Sequence, residues 1–218
     1  MTTIAVIHTG PVTVLPIKEQ LSELIAHARV INIMDDSLLN DVRAAGHLTP
    51  EVASRIYSYM SNAQAMGADI ILNACSSVGE ATDSLKEFIR TPIVKIDESM
   101  AEEASAIGPR IGVVATVSTT LDPTVRLIRR KAAEFGRTVE VTERIAEGAF
   151  EALLRGDGVL HDEILKQTIV ALADQVDVVV LAQVSMARLI PTLGKLRVPV
   201  LSSPRSGVEA VRRALAAL

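Results

Sequence analysis

The sequence predicts an α/β fold of two pseudo-symmetric lobes, each a roughly four-stranded parallel sheet flanked by helices. Three observations lead there. The strand-like segments are short continuous apolar runs, such as Ile70-Ile71-Leu72 and Val178-Val179-Val180-Leu181, the pattern of parallel strands covered on both faces. These runs alternate with segments of helical periodicity, as βα units do. The chain also repeats itself: Ile4 and Ile111 lie 107 positions apart, Asp69 and Asp177 lie 108 apart, and Pro92 and Pro199 lie 107 apart. A near-constant shift across three strands marks an internal duplication. It divides the chain into residues 1–98 with 206–218 and residues 99–205. Open α/β sheets bind ligands beyond the carboxyl ends of their strands, so the active site is expected between the lobes.

Composition supports this class. The 218-residue chain is 49% hydrophobic with a mean hydropathy of +0.33, yet aromatic residues make up only 2%. The core must therefore be aliphatic. A net charge of −4 and the scarcity of stacking side chains argue against a nucleic-acid partner. The basic run Arg129-Arg130-Lys131 reads as a solvated helix face. A single cysteine excludes an internal disulfide and a thiolate metal cluster, and fits a reducing compartment. Met1-Thr2-Thr3-Ile4 enters a strand pattern without a charged leader, and no apolar run reaches the length of a membrane span. A cytoplasmic protein is expected.

The elements follow in order. Residues 4–7 form the first strand, ending in His8-Thr9-Gly10-Pro11. A helix over 14–28 sets Leu21, Leu24, Ile25 and Ala28 on one face. Residues 30–33 form the second strand, followed by a short helix and loop that contain His47. Thr49 and Pro50 start the next helix as N-cap and first-turn residue. Val52, Ile56, Met60 and Ala63 give that helix its core face, and Gly67 ends it. Strands over 69–73 and 92–96 and a helix over 100–107 complete the first half. In the second half, a strand over 110–114 leads to a helix over 123–135. That helix turns Val125, Ile128, Ala132 and Phe135 inward and is closed by Gly136. A short strand over 139–141, helices over 146–155 and 162–174, strands over 177–181 and 199–201 and a final helix over 208–218 follow. The helix over 162–174 packs Leu165, Ile169 and Leu172.

Chemistry is concentrated at Asn73-Ala74-Cys75-Ser76-Ser77, where the third strand gives way to a helix. Helix N-termini present unpaired N–H groups and partial positive charge, which lower a thiol's pKa and favour the thiolate. The flanking Asn73, Ser76 and Ser77 favour a reactive thiol over a packing residue. Ser76 and Ser77 can donate to a carboxylate or an enediolate, and they can equally cap the helix. Thr116, Ser118, Thr119 and Thr120 end the equivalent first strand of the second half. They either grip a carboxylate or cap the turn before Pro123. Thr9 and Gly10 match them in the first half, with Gly10 permitting close backbone approach to a ligand. His8 is a candidate acid, although histidine at a strand end is more often structural.

The shift of 108 sets Gln183 at the place that Cys75 occupies in the first half. An amide neither takes nor gives a proton at neutral pH. Its remaining roles are to orient substrate or to hold an oxyanion, with Ser185 as neighbour. Asp97, Glu98 and Arg205 end the two fourth strands and are expected to form a salt bridge across the lobes. His27, His47 and His161 lack metal-ligand spacing and read as surface or capping residues. No Gly-rich phosphate loop, HExxH helix or second thiol occurs, so neither metal nor nucleotide is implied.

Asn73-Ala74-Cys75-Ser76 is similar to the Asn-Thr-Cys motif of the aspartate/glutamate/hydantoin racemase superfamily. Thr116 with Ser118-Thr119-Thr120 resembles that family's substrate-gripping Thr-rich turn. Residues 181–186 resemble its second cysteine motif, with Gln183 in place of the cysteine. The resemblance spans essentially the whole chain. It implies two α/β lobes, an interlobe active site, no cofactor, and a homodimer or dimer of dimers. Racemases of this kind use two bases: one thiolate removes the proton α to a carboxylate and a second cysteine protonates the opposite face. The superfamily also holds cysteine-nucleophile maleate isomerases and single-cysteine arylmalonate decarboxylases, the latter keeping the second cysteine rather than the first. The expected function is a cofactor-independent enzyme acting α to the carboxylate of a small organic acid by isomerase or epimerase chemistry. Cys75 and Gln183 are its expected catalytic residues. Thr9, Gly10, Asn73, Ser76, Ser77, Thr116, Ser118, Thr119 and Ser185 would hold the substrate. A decarboxylase or other lyase, and a non-catalytic module that binds small acids, are the alternatives.

Overall fold

The computed structural model describes residues 1–218 and contains two four-stranded sheets of the same topology. The first has the order β2-β1-β3-β4, with β1 Thr3–His8, β2 Arg29–Met34, β3 Ile70–Asn73 and β4 Ile93–Lys95. The second has the order β6-β5-β7-β8, with β5 Arg110–Ala115, β6 Glu140–Ile145, β7 Val178–Leu181 and β8 Val200–Ser202. Every pairing is parallel. The chain divides into two units, Met1–Ser99 with Pro204–Leu218 and Met100–Ser203.

The repeated aspartates have a physical reason. Asp69 N–H donates to the Thr3 carbonyl at 2.8 Å, and its Oδ2 accepts from Thr3 N–H at 2.7 Å. Asp177 does the same to Arg110, at 2.8 and 2.9 Å. Each carboxylate closes the amino end of a strand pair and satisfies an N–H that the parallel ladder leaves unpaired. At the carboxyl ends, Ala74 N–H reaches the Ile7 carbonyl and Ala182 N–H the Val114 carbonyl, both at 3.0 Å.

Continuous apolar strands are continuous here because both faces are covered. In β7, Val178 and Val180 enter one cluster with Val125 and Ile128, whereas Val179 and Leu181 enter another with Leu165, Ile169 and Leu172. In the first unit, Ala5, Ile7 and Ile71 pack against Val52, Ile56, Met60 and Ala63. Those four come from α3 (Pro50–Ala65), whose N-cap Thr49 accepts from Val52 N–H. Its predicted core face is the observed one.

Several boundaries differ from expectation. α1 spans Val14–Leu24 and buries Ile17 and Leu21; Ile25 departs from helical geometry and His27 adopts a φ of 69° as the chain turns into β2. α2 is Ser37–Ala45, α4 is Gly79–Leu85 and α5 is Glu98–Ile107. α6, Ser118–Glu134, begins five residues ahead of Pro123 and keeps that proline inside. As the sixth residue of α6, Pro123 leaves the Thr119 carbonyl without its i→i+4 donor. Phe135 is not an inward residue: it is 57% exposed beyond the helix end, while Gly136 adopts the left-handed φ of 65° expected of the cap. The proposed helix over 146–155 contracts to α7, Ala149–Leu154, because Gly148 holds a φ of 81°. α8 is Gly158–Ala173. A 3-10 helix, Val184–Thr192, follows β7 where the sequence reading had no element. α9 spans Ser203–Ala216. No helix is long and apolar enough to cross a membrane.

Candidate active site

Cys75 lies two residues beyond the last residue of β3, in extended conformation (φ −139°, ψ 120°), as N-cap of the single 3-10 turn Ser76–Val78 that precedes α4. Gln183 lies two residues beyond the last residue of β7 with nearly the same dihedrals (φ −125°, ψ 135°), as N-cap of the 3-10 helix Val184–Thr192. The structures of the two strand ends therefore support the sequence register that pairs the thiol with the amide.

The thiol is half-buried by exposure, and protein atoms crowd its sulfur. Burial pushes the Cys75 thiol above its ordinary value, while hydrogen bonds from the Thr9 hydroxyl, the Ser77 and Val78 N–H groups and the Ser77 hydroxyl pull the other way. Burial wins, which corrects the expectation of a lowered pKa. The turn behind the sulfur supplies two N–H groups but is too short to carry a full helix dipole. This environment favours the thiol over the thiolate.

Thr9, Asn73, Ser76 and Ser77 surround this position and are all buried. Asn73 turns its amide inward: Nδ2 donates to the Cys75 carbonyl at 3.1 Å, and its Oδ1 is buried without a donor. Gly10 is extended (φ 171°), and a Cβ there would meet nothing within 4 Å. Its backbone does not require glycine. His8 is fully buried, with Nδ1 2.7 Å from Thr13 Oγ1 and Nε2 3.0 Å from Asn32 Oδ1. Burial holds its pKa below the ordinary histidine value. A neutral ring with both nitrogens engaged is a structural residue.

In the second unit, Gln183 Oε1 accepts twice from Thr116, from its N–H at 2.9 Å and its hydroxyl at 3.0 Å. The oxygen is thereby fixed, and the Nε2 hydrogens are the free face of the amide. Thr116 differs from its predicted role, because both of its donors are committed to Gln183. Ser118 and Thr119 form the first turn of α6 rather than a preceding loop. Ser118 is exposed, and Thr119 Oγ1 is buried without a partner. Ser185 is half-buried, two residues beyond Gln183.

Three further expectations need correction. Arg205 pairs with Glu23 at 2.8 Å and Glu209 at 3.4 Å, and Glu98 lies 3.5 Å from Lys86. All belong to the first unit, so these ion pairs lie within one lobe. Asp97 is not a rim residue but is only 2% exposed. His161 is buried on α8 with Nδ1 2.9 Å from Asp162 Oδ1. No group of three His, Cys, Asp or Glu side chains is placed to hold a metal ion.

Sequence reasoning missed the polar interior beside the thiol. Lys95 is 2% exposed and reaches Asp83 Oδ2 at 2.8 Å. Its signal was a charge inside the apolar run Pro92-Ile93-Val94-Lys95-Ile96, since a buried lysine requires a partner. It also missed the cluster at the carboxyl end of β2, where Asp35 accepts from Tyr59 at 2.6 Å and binds Arg55 and Ser37.

The structure aligns over 99% of its length with glutamate racemase RacE1 of Bacillus anthracis, covering 82% of that chain at a TM-score of 0.77 and 17% identity. Aspartate racemase of Picrophilus torridus aligns over 99% of this chain and 95% of its own, at a TM-score of 0.74 and 16% identity. Allantoin racemase of Klebsiella pneumoniae aligns over 100% and 89%, at a TM-score of 0.73 and 19% identity. These likenesses show the fold. A search among curated sequences gives no match. The family model described as Asp/Glu/Hydantoin racemase matches residues 12–211, and the chain belongs to that family of isomerase-type enzymes.

Proposed function

We propose that this protein is a cofactor-independent enzyme that moves a proton at the carbon α to the carboxylate of a small organic acid, with Cys75 as proton carrier. One observation carries the reading. The chain's only thiol stands at the end of β3 with N–H and hydroxyl donors on its sulfur, and its repeat counterpart is an amide pinned by Thr116. As thiolate, Cys75 takes the α proton and leaves an enediolate; as thiol, it returns a proton to the carbon, and inversion requires the enediolate to turn its other face to Cys75 first, because return to the same face regenerates the substrate. Thiol chemistry of this kind supplies its own base and acid, so the step requires no cofactor. Gln183 Nε2 is a fixed donor suited to an oxyanion, and it cannot act as the second base. Ser76, Ser77, Thr9, Ser118, Thr119 and Ser185 are the polar side chains assigned to the substrate site, with Thr116 holding Gln183 in place and Asn73 and Gly10 shaping its backbone. The protein is assigned to the cytoplasm and to a homodimer or a dimer of dimers, with no nucleic-acid or membrane partner.

Decarboxylation is the second reading, and the resting thiol favours it. Carbon dioxide would leave with its electron pair remaining on the α carbon, the thiol would protonate that carbon, and water would restore the thiol. The test is incubation with amino acids, hydantoins and 2-substituted malonates in deuterated water. We expect α-deuterium uptake or loss of carbon dioxide from one class, falling by roughly 10²–10⁴-fold in Cys75→Ala. Undiminished turnover in that variant overturns the assignment of Cys75.

A further inference from the structure

Asp97 is a buried carboxyl that the reaction above does not use. It stands two residues beyond Lys95, which pairs in register with Asn73, and Ile96 N–H continues the ladder to the Asn73 carbonyl at 3.0 Å. Asp97 accepts a hydrogen bond from the Ser76 hydroxyl, while its Oδ1 is buried without a partner. The charged groups around it are otherwise engaged. Lys95 is bound to Asp83, and Glu98 to Lys86. Solvent is kept out by α9, since a Cβ on Gly207 would lie 2.4 Å from the Ile96 carbonyl oxygen.

A carboxyl this enclosed, without an ion partner of its own, is costly to keep. Its side-chain hydrogen-bond partner is Ser76, the first residue of the turn whose next two N–H groups reach the Cys75 sulfur. We propose that Asp97 is a positioning residue for the thiol: by holding the Ser76 hydroxyl it fixes the Ser76–Val78 turn, and so keeps the Ser77 and Val78 N–H groups on the sulfur. Burial raises the Asp97 pKa, with Lys95 and Ser76 opposing.

This inference rests on the reading of Cys75 as the reactive group, and one experiment separates the two. Iodoacetamide alkylation of Cys75 in the intact protein is followed against pH for the wild type, Asp97→Ala, Asp97→Asn, Ser76→Ala and the double variant Asp97→Ala/Ser76→Ala. Loss of the hold removes hydrogen bonds to the thiolate, so Asp97→Ala and Ser76→Ala should each raise the midpoint by roughly one pH unit. That is about tenfold slower alkylation on the rising limb. The double variant should move no further than either single one. Asp97→Asn keeps an acceptor for Ser76 and should retain the wild-type midpoint, which a general loosening of the fold would not allow. An unmoved midpoint in Ser76→Ala and Asp97→Ala, or additive shifts, overturns the Asp97 assignment alone. If Asp97→Ala does not fold, Ser76→Ala and Asp97→Asn decide the question by the same criteria. A wild-type Cys75 that resists alkylation at every pH overturns the proton-carrier reading, and the inference with it.

Discussion

Thr116 and Gln183 show how little separates a structural amide from a chemical one. A glutamine whose oxygen accepts two bonds from one threonine has lost its rotational freedom, and its N–H₂ becomes a fixed dipole. The identity of Gln183 was legible from the repeat, but its orientation was not, because that depends on a threonine 67 positions away. Cys75 was legible as a strand-end thiol, whereas its raised pKa was not. Burial is a sum over neighbours that no local motif reports. The acid limb of stability also belongs to single residues. Burial alone would raise the Asp35 carboxyl, but hydrogen bonds from Ser37, Tyr59 and Arg55 and the Arg55 charge hold it at about 2. Its folded pKa lies below its unfolded one, so its contribution is full above about pH 4 and is lost as pH falls toward 2. Buried His8 acts with the same sign from a higher pH: its folded pKa is depressed, so its contribution falls away as pH drops below about 6.5. Urea midpoints should decline on acidification below pH 6.5 and again below pH 4, and His8→Asn should remove the first decline.

Helices and strands were legible to different depths. The third helix was read with its N-cap, its core face and its terminating glycine intact, because each signal is local and they agree. α6 was started five residues late, because Pro123 looked like a first-turn residue. The real start follows β5 directly, and that shifts Ser118 and Thr119 from a loop onto a helix turn. α9 begins at Ser203 rather than at the expected residue 208, which makes Gly207 a helical residue packed on Ile96, just beyond β4. That glycine is a point of contact rather than of flexibility. Gly207→Ala sets a Cβ against the Ile96 carbonyl at a distance real contacts do not tolerate. It should cost about 1–3 kcal/mol in urea denaturation, despite the higher helix propensity of alanine. A neutral or stabilising outcome would show that α9 moves to make room.

At the scale of the whole molecule, duplication made the architecture readable. Two strand sets with the same order, each closed by an aspartate at its amino end, follow from a repeat visible in the bare sequence. What the repeat could not disclose is where the halves have diverged. A seven-residue α4 follows the thiol, whereas a nine-residue 3-10 helix follows the amide. Residues at equivalent places are no longer chemically equivalent. A ligand of the folded state should raise the melting temperature, reaching about 2.7 kcal/mol of added stability at a hundredfold excess over Kd. A thermal-shift screen of small acids against wild type and Cys75→Ala therefore reports binding without turnover, and a compound that shifts both identifies the site's ligand class. The pinned amide has one more consequence, and it concerns mirror images. A flat intermediate with a proton source on one side alone is protonated from that side, molecule after molecule. Under the decarboxylation reading, a chain that keeps the thiol and holds Gln183 immobile would release a single enantiomer rather than an equal mixture, whereas proton transfer from that one side alone would show only isotope exchange.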